Sequence, residues 1–126
     1  MKSFIITIII AAALVFGSVK YTKKLEDCSE TLGRMTADIS ESLDEEDYAA
    51  ASADIDRLSE ELLSVKPFIA AFGDHSDIDL IESNLAELKV YAEYGQRCDA
   101  LSRATVISVL FRHLPRNTHI RIENIL

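Results

Sequence analysis

The densest group of side chains that could do chemistry lies just past the middle of the chain, where carboxylates and a histidine fall within six residues. The group consists of Asp74, His75, Asp77 and Asp79. Carboxylate oxygens are the ligands that Ca²⁺ and Mg²⁺ prefer, and an imidazole could add a nitrogen ligand. The glycine-containing twelve-residue loop of an EF-hand is absent, however, and acids at a helix start are expected from capping and the helix dipole alone. The pattern therefore favours a helix N-terminus, with a divalent-cation site as the alternative.

The other polar residues match no catalytic motif. His113 and His119 stand among arginines, where positive charge opposes the approach of a metal ion. The sequence contains no nucleophile elbow, glycine-rich phosphate loop or HExxH motif. We therefore expect no enzyme, no cofactor and no small-molecule substrate. A net charge of −8, from 21 acids against 13 Lys and Arg, also disfavours nucleic acid as a partner, because phosphate contacts need clustered basic residues.

The two cysteines, Cys28 and Cys98, raise the question of a disulfide. In an array of helices that run alternately up and down, Cys28 would lie near the membrane end of the first helix. Cys98 would begin the fourth helix, near the opposite end. About 16 residues of helix would separate the two levels by roughly 24 Å, which is far beyond the reach of a disulfide. We predict that the two thiols do not pair.

The elements that must position these residues begin with an apolar segment, residues 3–19, which contains no charged side chain. As a helix this segment would span about 25 Å, at the short edge of what crosses a bilayer. Tyr21 and the three lysines within residues 20–24 suit the head-group region. We therefore predict a membrane anchor with a basic flank, residues 1–24, that leaves the rest of the chain outside the cytoplasm. The alternative is a cleaved signal peptide, which would release a secreted helical domain.

After the anchor, apolar residues recur every three or four positions, which predicts amphipathic helices throughout a domain of residues 25–114. The expected helices cover about residues 25–43, 47–66, 77–94 and 97–113. Pro67 should kink or break the second helix and Pro115 should end the fourth. The tail, residues 115–126, is expected to be extended. The predicted fold class is thus all-α: an N-terminal transmembrane helix followed by a four-helix antiparallel array of two stacked hairpins.

Short motifs in the sequence carry two resemblances. The run Glu46-Asp47-Tyr48, followed by alanines, is similar to the start of a second helix in tetratricopeptide-type hairpins. The anchor, the run Asp74-His75-Ser76-Asp77-Ile78 and the terminal Asn124-Ile125-Leu126 together resemble an uncharacterised family, domain of unknown function 4363. That family consists of short, membrane-anchored helical proteins, chiefly of Gram-positive bacteria. This second resemblance implies anchoring and a helical fold, and it implies no activity.

These observations favour a membrane-anchored, non-enzymatic module that binds another protein, or a second copy of itself, outside the cell membrane. Because the fourth helix is apolar over a wide face, it and the tail are the predicted binding region, and the candidate residues are Phe111, Leu114, Ile120, Ile122, Ile125 and Leu126. The alternative is that the tail closes the domain's own core.

Two rival hypotheses assign the soluble part another role. In one, the Asp74 group makes the protein a divalent-cation sensor outside the cytoplasm. In the other, the anchor continues into a parallel coiled coil along Leu25, Leu32 and Ile39. The acidic turn that follows residue 43 weighs against the coiled coil, because it ends the apolar stripe early.

Overall fold

A computed structural model describes the backbone of residues 1–71 and 75–125 and the side chains of residues 1–71 and 75–115. Over these residues the chain forms four α-helices and no strand: α1 (Lys2–Asp44), α2 (Tyr48–Ala70), α3 (His75–Glu93) and α4 (Arg97–Ile125). Helices α1 and α3 each pack against both α2 and α4. The predicted all-α class and the four-helix array are therefore confirmed.

Hydrogen bonds between distant residues fix the direction in which each helix runs. The Tyr21 hydroxyl donates to the carbonyl of Phe68 at 3.1 Å, so the early part of α1 lies beside the end of α2. The Arg97 guanidinium donates to the carbonyl of Asp44 at 3.4 Å, so the start of α4 lies beside the end of α1. Neighbouring helices are thus antiparallel, as in an up-down-up-down bundle. The pairs α1–α2 and α3–α4 are antiparallel hairpins, and their similarity to tetratricopeptide hairpins stays a prediction.

Each helix contributes one apolar stripe to a shared core. Leu25, Leu32 and Ile39 of α1 are each at most 1% exposed and face this core. The coiled-coil hypothesis for these residues is therefore wrong, because the stripe is already covered within the monomer. The largest fully buried side chains from the other helices are Ile55, Leu58, Ile78, Ile81, Leu88, Ile107 and Phe111. Complete burial of such a side chain contributes about 1.5–3 kcal/mol.

Two tight connections lie together at the end of the bundle away from residues 3–19. Glu46 has a φ of 57°, and Asp47 caps α2 by accepting a hydrogen bond from the amide of Ala50 at 3.2 Å. Gly95, between α3 and α4, has a φ of 68°, a left-handed conformation that favours glycine. A Cβ atom at Gly95 would lie 3.8 Å from the Tyr48 ring, so the two connections are close in space.

The prolines do not end their helices where the sequence indicates. Helix α2 continues through Pro67 to Ala70, and α4 continues through Pro115 to Ile125. The predicted extended tail is therefore wrong over residues 115–125, whose backbone is helical; Leu126 lies outside the described residues. Pro115 has no N–H to donate to the carbonyl of Phe111, and the Ser29 hydroxyl of α1 donates to that carbonyl instead. Tertiary structure thus supplies the hydrogen bond that proline removes.

Helix α1 joins the apolar segment to the bundle without a break. Its 43 residues make it about 65 Å long. Tyr21 is half-buried against the core, and Leu25 is the first fully buried residue of α1. Because Phe111 lies level with Ser29, the last four or so turns of α4 run back toward the apolar end of α1.

Candidate membrane anchor and binding surfaces

The N-terminal part of α1 is apolar on all sides, and within the described residues its most apolar window is uncovered. Its most apolar 18-residue window has a mean hydropathy of 2.2, and none of it is buried. Large side chains stand open along its length, with Phe4 70% and Phe16 63% exposed. A helix that is apolar all round is normally covered by protein or by lipid. Among the described helices, this segment is long and apolar enough to cross a membrane, by length and composition.

Aromatic and basic side chains contact one another at the junction between this segment and the bundle. The rings of Tyr21 and Phe68 lie 4.7 Å apart, and the Lys24 Nζ lies 4.4 Å from the centre of the Phe68 ring. The Tyr21 hydroxyl also satisfies the Phe68 carbonyl, which lies in the last turn of α2 where helix carbonyls lack an intrahelical donor. The turn of α1 that follows the apolar segment is therefore held against the end of α2.

The candidate cation ligands lie at the start of α3. His75, Asp77 and Asp79 belong to its first turns, whereas Asp74 lies outside the described residues. Within residues 1–71 and 75–115, no three His, Cys, Asp or Glu side chains are placed to hold a metal ion together. The position of Asp77 in the first turn agrees with the helix-dipole interpretation. A cation site that includes Asp74 stays a prediction.

The two cysteines are free and differ in exposure. Cys28 is half-buried, and burial raises the pKa of its thiol, with a smaller opposing effect from Lys24. Cys98 is exposed. The contact between Arg97 and Asp44 places Cys98 beside the far end of α1, many turns from Cys28, as the up-down-up-down prediction requires.

The predicted partner-binding residues do not form an open surface. Phe111 is 0% exposed and Leu114 is 5% exposed, so both belong to the core of the bundle. Their assignment to a binding surface is wrong, because in α4 the apolar face is turned toward α1 and α3. Ile120, Ile122 and Ile125 lie on the helical backbone of α4, and their side chains are outside the described part, as is Leu126.

An open apolar groove lies instead between α2 and α3, and sequence reasoning missed it. Leu63, 70% exposed, stands at its rim, and Leu62 and Leu85 are among its buried residues. The groove has a volume of about 280 Å³ and is also lined by Ser59, Glu82, Ala86 and Lys89. The sequence did carry a signal for it. Leu63 directly follows Leu62 of the apolar stripe of α2, so it lies beside that stripe and outside the core.

Comparisons with known proteins show the family to which the chain belongs. Neither the curated proteins nor the solved structures include a significant match to the chain. A family model described as Domain of unknown function (DUF4363) matches residues 19–125. The matched region begins where the apolar segment ends and covers the bundle, which is most of the chain. The protein therefore belongs to the DUF4363 family, whose function is unknown.

Proposed function

We propose that this protein is a single-pass membrane protein that holds a four-helix bundle against the outer surface of the cell membrane, where the bundle binds another protein. The observation that carries the proposal is the uncovered apolar segment, residues 3–19, which continues without a break into α1 of the bundle. A soluble domain rarely exposes a contiguous apolar surface of this size. Lipid is the covering that matches its length and its apolar character on all sides.

The orientation in this proposal is that of a signal-anchor, an apolar segment that stays in the membrane while the chain that follows it is translocated to the outside. The continuous α1 then leaves little freedom between anchor and bundle. The bundle is held with its Tyr21–Phe68 end at the membrane and its two tight connections away from it.

Thiol labelling in intact cells tests anchoring and orientation together. We expect a membrane-impermeant maleimide to modify the exposed Cys98 quickly and the half-buried Cys28 slowly, because reaction requires an accessible thiolate and burial raises the pKa of Cys28. Denaturant should equalise the two rates. The single variants Cys28→Ser and Cys98→Ser assign each signal.

Other outcomes of this labelling contradict the proposal. Labelling of Cys98 only after the cells are permeabilised would show that the bundle lies inside. Release of the protein into the medium, or its extraction from membranes by carbonate, would show that the apolar segment is not a retained anchor.

The groove between α2 and α3 is the surface we assign to the partner. At about 280 Å³ it lies just below the usual range for a small-molecule pocket and suits one or two apolar side chains of a protein. Ion pairs at Lys66–Glu82 (2.7 Å) and Lys89–Asp56 (3.0 Å) join α2 to α3 along this face. The two helices carry nine acids against three Lys and Arg. The matching partner is therefore an amphipathic helix with apolar anchor residues flanked by basic ones.

Site-specific photocrosslinking tests this assignment in cells. With a photoreactive residue in place of Leu63, we expect a crosslinked product of one defined mass, because this side chain stands at the rim of the groove. The same residue in place of Thr105, which is exposed on α4, is the matched control and should give no such product. Equal crosslinking at both positions would remove the groove as the site. A product of twice the chain mass would identify a second copy as the occupant.

A further inference from the structure

We propose that three residues of α1, Lys20, Lys23 and Lys24, form a surface that binds the phosphate groups of anionic phospholipids. We call them the juxtamembrane lysines. The inference rests on the membrane anchoring proposed above and adds a ligand of defined chemistry at the end of the bundle that faces the bilayer.

The first support is the position of these residues along α1. The helical rise places Lys20 about 1.5 Å, and Lys24 about 7.5 Å, beyond Val19, the last residue of the apolar segment. The head-group region of a bilayer leaflet is about 5–7.5 Å thick. All three amines therefore lie at the depth of the lipid phosphates when the apolar segment fills the hydrocarbon core.

The second support is that no ion pair among the described side chains includes these cations, although acids outnumber bases in the chain. Within the bundle, basic side chains form ion pairs with carboxylates, at Arg34–Glu30, Arg57–Asp54, Lys66–Glu82, Lys89–Asp56 and Arg103–Glu87. In the part of the chain whose side chains are described, the juxtamembrane lysines form no ion pair, and all three are exposed. Their positive charge is thus available to an external anion.

The third support is that neighbouring side chains position the lysine ammonium groups on the outer side of α1, close to the junction. Tyr21 and Leu25 face the core, which leaves the juxtamembrane lysines on the outer side of α1. The Lys20 Nζ lies 4.8 Å from the centre of the Phe16 ring, and Lys24 contacts Phe68. Two of the three ammonium groups are therefore held near the junction by cation–π contacts.

Acidic residues limit the basic surface on the side away from the membrane. Glu26 and Asp27 follow directly along α1 and are exposed. The charge therefore changes sign about 10 Å beyond the apolar segment. An anionic membrane attracts the first two turns past Val19 and repels the acidic surface beyond them, which holds the bundle close to the bilayer but not flat against it.

Lipid selectivity of the full-length protein tests the proposal. The protein is reconstituted into phosphatidylcholine bilayers, and electron spin resonance measures the association of spin-labelled phosphatidylglycerol relative to spin-labelled phosphatidylcholine. We expect a preference for phosphatidylglycerol of at least about fivefold, the factor expected from one lysine near an anionic head group. In the variant Lys20→Gln/Lys23→Gln/Lys24→Gln we expect the ratio to fall to near one.

Two further variants separate the lysines from general charge and from folding. Arg34→Gln/Arg57→Gln/Lys89→Gln removes the same charge from exposed positions within the bundle and should keep the preference. Lys23→Gln alone removes a juxtamembrane lysine that contacts no aromatic ring among the described side chains, so we expect a partial loss of the preference without a change in those ring contacts.

Each remaining outcome overturns a distinct statement. Equal association of both lipids with the wild-type protein, or a preference that survives in the triple lysine variant, refutes the lipid site. Loss of the preference on adding millimolar inorganic phosphate, but not on adding sodium chloride of the same ionic strength, would show that the lysines bind free phosphate more tightly than lipid and would overturn the assignment of lipid as their ligand. Failure of the protein to enter bilayers at all would instead refute the anchoring proposed above.

Discussion

Replacing Phe111 with alanine is expected to lower the free energy of unfolding of the bundle by about 3–5 kcal/mol. Phe111 is 0% exposed and is among the largest fully buried side chains of the core, at the place where α4 packs on α1. The change removes a whole aromatic ring and leaves a cavity that neighbouring helices cannot close without moving. Urea denaturation of the full-length protein in nanodiscs, followed by circular dichroism at 222 nm, measures the effect.

The next residue along α4 provides a matched control for this prediction. Arg112 is exposed, and Arg112→Ala is expected to change the free energy of unfolding by no more than about 0.5 kcal/mol. The comparison also separates the two roles that the sequence allows for Phe111. A Phe111→Ala protein of wild-type stability that had lost a partner would restore the binding role and contradict the burial of this ring.

The sequence predicts the helices because the signal for each is local. Ile55, Leu58 and Leu62 recur with a period that only a helix can place on one face, and all three are buried in the structure. The acids before Tyr48 likewise mark the start of α2, where Asp47 caps the helix. Such signals need no knowledge of which helices are neighbours.

The predictions that fail are those that depend on which residues meet in space. Pro115 is a local signal to end a helix. The hydrogen bond that it removes is replaced by the hydroxyl of Ser29, which lies 82 residues before Phe111, and nothing near Pro115 in the sequence indicates this contact. The wide apolar face of α4 indicates burial, but periodicity alone cannot say whether the cover is α1 or a partner. Leu63 is a further example: it falls beside the apolar stripe of α2, but only the packing of α2 on α3 shows that it stands at the rim of a groove.

Ser29 is the second residue for which we expect a large effect. Its hydroxyl is buried between α1 and α4 and donates to the carbonyl of Phe111, which receives no hydrogen bond from Pro115. Ser29→Ala leaves that carbonyl unpaired in the interior, which costs about 1–3 kcal/mol. The higher helix propensity of alanine offsets only a few tenths of a kcal/mol. The same urea denaturation measures the change.

A double-mutant cycle identifies the cause of this loss. Pro115→Ala restores an N–H four residues after Phe111, so in its presence Ser29→Ala should cost at least about 1 kcal/mol less than in the wild type. Ser59→Ala is the control, because the Ser59 hydroxyl bonds to the Ile55 carbonyl within α2, and that carbonyl keeps a backbone donor at residue 59. Equal costs of Ser29→Ala with and without Pro115 would show that the hydroxyl does not replace the hydrogen bond that proline removes. If Ser29→Ala costs less in the Pro115→Ala background, the hydroxyl from α1 supplies the hydrogen bond that Pro115 removes. Helix α1 then helps α4 to continue through Pro115 toward the membrane.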